Sequence, residues 1–250
     1  MRKLLLTAAA IATLSLNAYS QYGHGHVDFS SLPIKVEAGM MIPHNNTYTI
    51  SSDFYGASFD TESGYFDTKI KDILDNPKPI AYLGIGADLP GKNRFITNGI
   101  MLRVGYENYE YTVLGEKHPF AQDVYSVSDY RYHYNVSRIH FNLSYFVSLQ
   151  LFKNNLQIGV GAGILPTIPV GTKPQANNGL ETDFMDHFSF GFNPEAKVTV
   201  YIKDFYVTAS YSLVRTITDS YFGVNDGFGI KQNYDVISFG VGYHFYRNKE

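Results

Sequence analysis

Two stretches of alternating apolar and polar residues, joined by a short polar turn, stand out along the chain. Every second residue from 139 to 151 is apolar, and the alternation resumes over 156–164 after Lys153, Asn154 and Asn155. Because successive side chains of a β-strand point to opposite faces, this pattern predicts an antiparallel hairpin with one apolar and one polar face. Its first strand is longer than the roughly five or six residues usual in globular proteins and suits the about 9–11 residues of a tilted strand in a bilayer. The hairpin therefore predicts a membrane-spanning β-barrel.

Eight segments in all show this alternation. Besides the hairpin, which supplies the fourth and fifth, they are 34–42, 79–88, a third beginning near 99, 188–202, 205–213 and 237–245. Outer-membrane barrels have an even number of antiparallel strands, and about eight strands suffice to close around a lumen that side chains fill. The sequence thus predicts an all-β, up-and-down, transmembrane antiparallel β-barrel of eight strands. A barrel of ten strands is the alternative. The stretches 47–52 and 54–59 could also add a small hairpin beyond the membrane.

The connections alternate between long and short. The long ones are 43–78, 113–134, 166–187 and 216–234, and the short ones are 89–98, 153–155 and 203–204. Outer-membrane barrels have short periplasmic turns and longer external loops, so the long connections are predicted to lie outside the cell. Within the first of them, the residues from Asp67 to Asp75 predict a short helix that Asp67 caps and that ends before Pro77.

The start of the chain predicts export. A basic beginning and an apolar run over 4–16 precede Ala18-Tyr19-Ser20, which offers the small residues that a signal peptidase recognises. We therefore expect a signal peptide over 1–20, a flexible periplasmic tail over 21–32, the barrel over 33–246 and a C-terminal tail over 247–250.

Composition narrows the class of protein. A formal net charge of −3 argues against a nucleic-acid partner, and the absence of cysteine excludes disulfides and thiolate metal sites. The chain has 21 tyrosines, 18 phenylalanines and no tryptophan, which suits the aromatic girdles of a membrane barrel. The alternative is a soluble, lipocalin-like barrel with its apolar face inward, which we rank lower because of the strand length and the loop asymmetry.

The last predicted strand, which reads Ile237-Ser238-Phe239-Gly240-Val241-Gly242-Tyr243-His244-Phe245, carries a resemblance. With the signal sequence and the alternating strands, it resembles the small outer-membrane β-barrels of the OmpA/OmpX-like superfamily, in particular the porin-family group of the Bacteroidota, over about residues 33–246. The resemblance implies the outer membrane of a Gram-negative cell, with lipid and lipopolysaccharide as partners. It also implies that Phe239, Tyr243 and Phe245 form a signal for the barrel-assembly machinery, although residues 247–250 follow where the family usually ends on an aromatic residue.

Charged residues lie on the polar faces of the predicted strands. They are Lys35, Glu37, Arg103, Glu107, Arg138, Glu195 and Lys197. A basic residue that faces lipid at the bilayer midplane costs about 2–4 kcal/mol, so we expect these side chains to point into the barrel and to pair there. Their pairing predicts a plug of salt bridges. The alternative is that the same residues line a pore or bind a ligand in the lumen.

Glycines alternate on the same polar faces. They are Gly159, Gly161 and Gly163 in the fifth predicted strand and Gly240 and Gly242 in the eighth. A glycine allows close approach of a neighbouring group, so these positions are predicted to leave room for bulky side chains such as Phe146 or Tyr201.

Residues with catalytic or metal-binding chemistry are poorly arranged. His140 and Ser144 share a face but stand about 13 Å apart along an extended strand, too far for a hydrogen bond. His24, His26 and Asp28 form an H-x-H-x-D tract in the tail, without a fourth ligand. We therefore expect no catalytic activity, no cofactor and no metal ion.

Function is predicted at the level of the whole barrel. We expect a structural or interaction role in the outer membrane, with the lumen plugged by side chains and with the long loops available to a surface partner. The alternative is a narrow, porin-like channel or small-ligand conduit. A lipid-modifying enzyme and a soluble binder rank below both.

Overall fold

The described part of the chain covers most of the predicted barrel. A computed structural model describes residues 33–50, 56–60, 64–89, 95–119, 128–152, 155–175, 188–217, 220–222 and 228–245. The predicted signal peptide, the tail that follows it and the C-terminal tail lie outside these residues, so those three assignments stay predictions.

The regular structure of the described residues consists of eleven β-strands. In chain order they are β1 (Ile34–Ile50), β2 (Gly56–Asp60), β3 (Gly64–Asn76), β4 (Ile80–Leu89), β5 (Ile96–Pro119), β6 (Ser128–Leu151), β7 (Leu156–Gln175), β8 (Ser189–Ile202), β9 (Phe205–Thr216), β10 (Ser220–Phe222) and β11 (Phe228–His244). Within the same residues, no helix has the length and apolar character needed to cross a membrane.

Eight of these strands close into a barrel. β1 pairs with β4 on one side and with β11 on the other, and antiparallel pairing continues through β5, β6, β7, β8 and β9 to complete the ring. Closure gives every ring strand a partner on both sides, which a sheet in hydrocarbon requires for its backbone N–H and C=O groups. The prediction of eight strands is confirmed, and the ten-strand alternative is wrong, because residues 56–60 form β2 and pair with β3 outside the ring.

The strand faces alternate as the sequence predicts. Outward-facing side chains such as Leu83 and Val241 are 70% and 61% exposed, while charged and hydroxyl side chains are buried in the lumen. A soluble monomer rarely exposes a continuous apolar surface of this kind, whereas acyl chains solvate it well. We call this belt the apolar band. It includes Val36, Met40, Leu83, Ile85, Ile100, Val104, Leu143, Val160, Val198, Val200, Val207, Phe239 and Val241.

The short predicted connections lie at one end of the barrel, which we call the short-turn end. They join β4 to β5, β6 to β7 and β8 to β9. In the last of them, Lys203 has a φ of 60°, and in the turn before it Phe152 has a φ of 49°. These left-handed residues reverse the chain tightly at the membrane boundary.

Strands continue well beyond the ends that the sequence predicts. Parts of all four long connections are strand, because β1, β5, β6, β7 and β11 run past the apolar band. β5 and β6 stay paired from Ile96↔Leu149 to Lys117↔Ser128. Alternating hydrophobicity marks only the lipid-facing part of a strand, so this continuation carries no such signal.

The predicted helix over 67–75 is wrong. These residues belong to β3, which pairs with the outer part of β5 and has a bulge between Ile70 and Asp72. A short helix is marginal by itself, and the hydrogen bonds offered by the neighbouring strand outweigh a weak local propensity.

β3 and β4 follow one another along the same edge of β5. β4 pairs with residues 98–106 of β5, and β3 pairs with residues 110–119. The break between them falls at Pro77-Lys78-Pro79, where two residues lack the N–H that a ladder needs. Together with β2, β3 and the outer parts of β5, β6 and β7 form a sheet beyond the apolar band, which we call the sheet extension.

The apolar band predicts where a charge is tolerated. We expect Leu83→Arg, which places a cation against lipid, to lower the free energy of unfolding by about 2–4 kcal/mol. The matched control is Asn108→Arg, because Asn108 also faces outward but lies beyond the band. Urea titration of both variants refolded in lipid vesicles measures the difference, and equal stability of the two would contradict the placement of the band.

Candidate functional site

The lumen collects the charged residues that the sequence singles out. All seven lie on inward faces of the ring strands: Lys35, Glu37, Arg103, Glu107, Arg138 and Glu195 are buried, and Lys197 is partly buried. They form one group in the centre of the lumen and one near each mouth.

The central group is an ion-pair cluster that spans the lumen. Arg103 on β5 donates from Nη1 to both carboxylate oxygens of Glu195 on β8, at 2.8 and 2.9 Å. Its Nε donates to Oε1 of Glu37 on β1 at 3.2 Å. Tyr82 on β4 donates to the same Glu37 oxygen at 2.6 Å. We call these four residues the central cluster. Because β5 and β8 are separated by β6 and β7 in the ring, the Arg103–Glu195 pair crosses the lumen.

Burial makes the central cluster depend on its complete set of partners. The side chains of Arg103, Glu37 and Glu195 are each at most 2% exposed. Taking such charges out of water costs several kcal/mol per ion, which mutual attraction and hydrogen bonds offset only if the geometry is good. Two aromatic rings also attract the Arg103 cation. Its guanidinium carbon lies 5.6 Å from the ring centroid of Tyr82 and 5.9 Å from that of Phe146.

Lys197 lies beside the central cluster. Counted as formal charges, two carboxylates and one guanidinium leave the central cluster at −1, and Lys197 is the further basic residue at this level of the lumen. Its Nζ lies 3.6 Å from the ring centroid of Phe146. The face of an aromatic ring attracts a cation, so Lys197 is held beside the cluster by a cation–π contact.

A second group lies in the lumen at the short-turn end. Lys35 makes an ion pair of 2.7 Å with Asp88, and Nε2 of His244 lies 3.6 Å from the other oxygen of that carboxylate. The Tyr201 hydroxyl donates to Oε1 of Gln157 at 3.1 Å. Lys35 also lies over the Tyr201 ring, at 5.4 Å from its centroid. These contacts link β1, β4, β7, β8 and β11 at one level of the barrel.

A third group lies toward the opposite mouth. Nε2 of His140 lies 2.6 Å from Oε2 of Glu107, and its Nδ1 lies 3.0 Å from the hydroxyl oxygen of Thr167. Arg138 donates to Oε1 of Gln232 at 3.3 Å. Ser144, which the sequence analysis paired with His140 as a candidate, instead donates to Asn142 at 2.6 Å.

Apolar side chains separate the central cluster from this third group. Seven inward-facing residues, Met41, Ile80, Tyr82, Leu165, Val214, Tyr234 and Val236, form one buried cluster. We call it the apolar layer. Tyr82 belongs both to this layer, through its ring, and to the central cluster, through its hydroxyl group. The apolar layer narrows the lumen with side chains that cannot hydrogen-bond to water, apart from the two tyrosine hydroxyls.

Interior glycines make room for the rings that fill the lumen. A Cβ at Gly161 would lie 2.5 Å from Cδ1 of Phe146, and a Cβ at Gly39 would lie 2.7 Å from the hydroxyl oxygen of Tyr82. Nearest to a Cβ at Gly242 would be the ring of Tyr206. An added Cβ would also meet a backbone carbonyl oxygen, that of Tyr145, Phe239 or Val36 respectively. Real Cβ atoms do not approach so closely, so these positions can hold only glycine while the rings and the neighbouring strands keep their places. The predicted role of Gly161 beneath Phe146 is confirmed.

Sequence reasoning missed several residues of the interior. Tyr82 and Tyr206 lie on the inward faces of β4 and β9, and Asp88 is the carboxylate that pairs with Lys35. The signal was present, because Tyr82 alternates with the outward Ala81 and Leu83. The tyrosines were missed because the prediction considered charged residues only. The expectation that inward positions are polar is wrong at the level of the apolar layer.

Comparison with known proteins identifies the fold alone. No family model matches the chain, and no curated protein matches it. The outer membrane protein OprG from Pseudomonas aeruginosa is similar in structure, with a TM-score of 0.50 and 11% sequence identity, over 87% of this chain and 97% of OprG. The outer membrane protease OmpT from Escherichia coli gives a TM-score of 0.49 and 10% identity, over 88% of this chain and 99% of OmpT. The likeness to OprG agrees with the closed ring described above, and the chain has the fold of an outer-membrane β-barrel.

The central cluster predicts a large cost for removing its cation. Arg103→Met leaves Glu37 and Glu195 buried without their partner, and we expect the free energy of unfolding in urea to fall by about 3–5 kcal/mol. The triple variant Glu37→Gln, Arg103→Met and Glu195→Gln removes all three charges and is expected to recover most of the loss. Lys78→Gln, which breaks the exposed 3.0 Å pair with Glu110, serves as the control. A loss no larger than that of this control would contradict the assignment.

The glycine contacts predict a steric effect. We expect Gly161→Val to destabilise the barrel by about 1–3 kcal/mol, because the added side chain overlaps both the Phe146 ring and the backbone carbonyl oxygen of Tyr145. Ala162→Val adds similar volume on the outward face and is expected to be neutral. The resistance of the compact form to unfolding by heat, followed by electrophoretic mobility, compares the two. Phe146→Ala should relieve part of the Gly161→Val defect and leave the part caused by the Tyr145 carbonyl oxygen. If it relieves none of the defect, the ring is not a cause.

Proposed function

We propose that this protein is an integral outer-membrane β-barrel with a structural or interaction role, whose lumen is closed by its own side chains. The observation that carries the proposal is the Arg103–Glu195 pair, which crosses the lumen between strands that are not neighbours. An open aqueous pore requires an unobstructed path along the axis. Here a buried guanidinium, two carboxylates and a tyrosine occupy that path.

Two further levels of the interior support closure. Lys35 and Asp88 pair at the short-turn end, and the apolar layer lies on the other side of the central cluster. An ion entering the lumen would have to displace buried pairs and pass apolar side chains, both of which oppose conduction. The formal charges of the lumen, histidines aside, also sum to zero. The four basic residues are Lys35, Arg103, Arg138 and Lys197, and the four acidic residues are Glu37, Asp88, Glu107 and Glu195.

The interaction role rests on the sheet extension. β5 and β6 have 24 residues each, more than twice the about 9–11 that a bilayer needs. Following the rule that short turns are periplasmic, we infer that the sheet extension rises from the cell surface, where it offers a surface to a partner. Phe239, Tyr243 and Phe245 lie on the outward face of the closing strand or just after it, as an assembly signal for the barrel-assembly machinery requires.

No catalytic role is part of the proposal. Glu107, His140 and Thr167 form a chain of acid, imidazole and hydroxyl groups, but all three are buried among the strands that they connect. We assign them the structural task of linking β5, β6 and β7. The apolar band is the surface that contacts lipid, and we propose that lipopolysaccharide is among the lipids that it contacts.

A narrow channel is the second candidate function, and one observation favours it. Small hydroxyl side chains line one side of the lumen on β8, β9 and β11: Thr199, Thr208, Ser210, Ser212 and Ser238. Such a wall offers hydrogen bonds to a passing water molecule or small solute. It would become a path only if the central cluster moved aside.

Conductance in planar bilayers distinguishes the two functions. We expect the refolded wild-type protein to give no stable conductance, since the central cluster blocks the axis. The double variant Arg103→Ala and Glu195→Ala removes one of the three closing levels, so it should give brief, small currents above the wild-type baseline while the Lys35–Asp88 pair and the apolar layer remain. The matched control Lys78→Gln and Glu110→Gln removes an exposed ion pair and should stay silent. Stable current from the wild type, equal to that of the double variant, would overturn the closed barrel in favour of the channel.

A further inference from the structure

A groove lies in the apolar band at the short-turn end. It has a volume of about 490 Å³ and is formed by β1, β4, β8, β9 and β11. Its apolar walls are the side chains of Val36, Leu83, Ile202, Phe205, Val207, Val241 and Tyr243, with Ala38 between them. We call it the band groove. Its size falls within the about 300–1,000 Å³ typical of sites for small organic ligands.

A small residue in a row of larger ones creates the band groove. Leu83, Ala38, Val241 and Val207 are successive register partners on β4, β1, β11 and β9. The methyl group of Ala38 is far shorter than the side chains on either side of it. Leu83, Val241 and Val207 are 70%, 61% and 50% exposed, so they stand as walls on both sides of a floor at Ala38.

The groove is closed by aromatic rings toward the membrane boundary. The rings of Phe205 and Tyr243 meet edge to face with centroids 5.1 Å apart, and Tyr243 meets Phe245 in the same way at 4.8 Å. Directly below lies the turn that joins Ile202 to Phe205, in which Lys203 is exposed and Asp204 is partly buried. The groove thus runs from an apolar floor toward the turn that carries Lys203 and Asp204.

We propose that the band groove binds one phospholipid, with an acyl chain along Ala38 and with the phosphate group beside Lys203. The occupant follows from the position of the groove, because acyl chains surround the apolar band. A second copy of the chain is disfavoured, since two apolar surfaces in lipid gain no hydrophobic stabilisation by meeting and a convex barrel does not fill a groove. In the orientation that the proposed function assigns, the short-turn end lies in the periplasmic leaflet, and this inference rests on that orientation.

Native mass spectrometry of the full-length mature barrel tests this site. The protein is refolded into vesicles of phosphatidylethanolamine and phosphatidylglycerol, extracted in mild detergent and weighed with its bound lipid. We expect a single retained phospholipid on the wild type, with phosphatidylglycerol enriched over its share in the vesicles. Ala38→Phe fills the floor of the groove and should lose that lipid. Lys203→Gln should keep the lipid but lose the enrichment.

The matched control is Ala162→Phe. Ala162 is an outward alanine on β7, and β7 lies half-way round the ring of eight strands from β1. This variant should retain the lipid as the wild type does. Heat-modifiable migration confirms that each variant is folded, and Lys203→Gln, at a surface turn, keeps the test valid if Ala38→Phe does not fold.

Several results would overturn the proposal. Equal retention by the wild type and Ala38→Phe would show that the groove is not the site. Loss of lipid from Ala162→Phe to the same extent would show that binding is unspecific. Preferential retention of added lipopolysaccharide, or a dimer that Ala38→Phe abolishes, would assign the groove to a different occupant. None of these results depends on whether the barrel conducts, so failure here is separate from failure of the closed-barrel proposal.

Discussion

Hydrocarbon offers no hydrogen bonds, and the rest of this structure depends on that constraint. A sheet in lipid must close, because each unpaired backbone N–H or C=O group would cost several kcal/mol. Closing with eight strands makes the lumen narrow enough for side chains from opposite walls to meet. The alternation of each strand then sends apolar residues to the lipid and collects the polar ones inside. The contact between Arg103 on β5 and Glu195 on β8 is the direct result.

The same narrowness explains why the interior combines ions, rings and glycines. A buried charge is tolerable only with its partners around it, so Arg103 is surrounded by two carboxylates and two aromatic rings. Rings of this size fit because facing positions such as Gly161 carry no side chain. A small residue has a different consequence on the lipid-facing surface. There, Ala38 leaves a groove that the surrounding acyl chains can fill, because lipid adapts its shape and the close-packed protein interior does not.

Much of the ring was predictable from the sequence, and the reasons are local. Alternation with period two gives each strand its lipid face, and this correctly placed Glu37, Arg103 and Glu195 inside. Their partners were not predictable, because which residues meet across a lumen depends on the stagger between strands, which no single strand encodes. Beyond the apolar band the outward face meets water, the alternation fades, and the residues over 67–75 looked helical although they pair with β5. The tyrosines of the lumen were visible in the pattern but carried no charge to draw attention to them.

The central claim is that a buried ion pair crosses the lumen of this barrel in the bilayer. Solid-state NMR on protein in lipid vesicles, with ¹⁵N in the arginine side chains and ¹³C in the glutamate carboxylates, measures it directly. We predict a strong dipolar coupling between the Arg103 guanidinium nitrogens and the Glu195 carboxylate carbon, assigned by its loss in Glu195→Gln. That coupling should persist at high salt, since bulk ions screen a buried pair poorly. The absence of this coupling, or its loss when salt is added, would contradict the account.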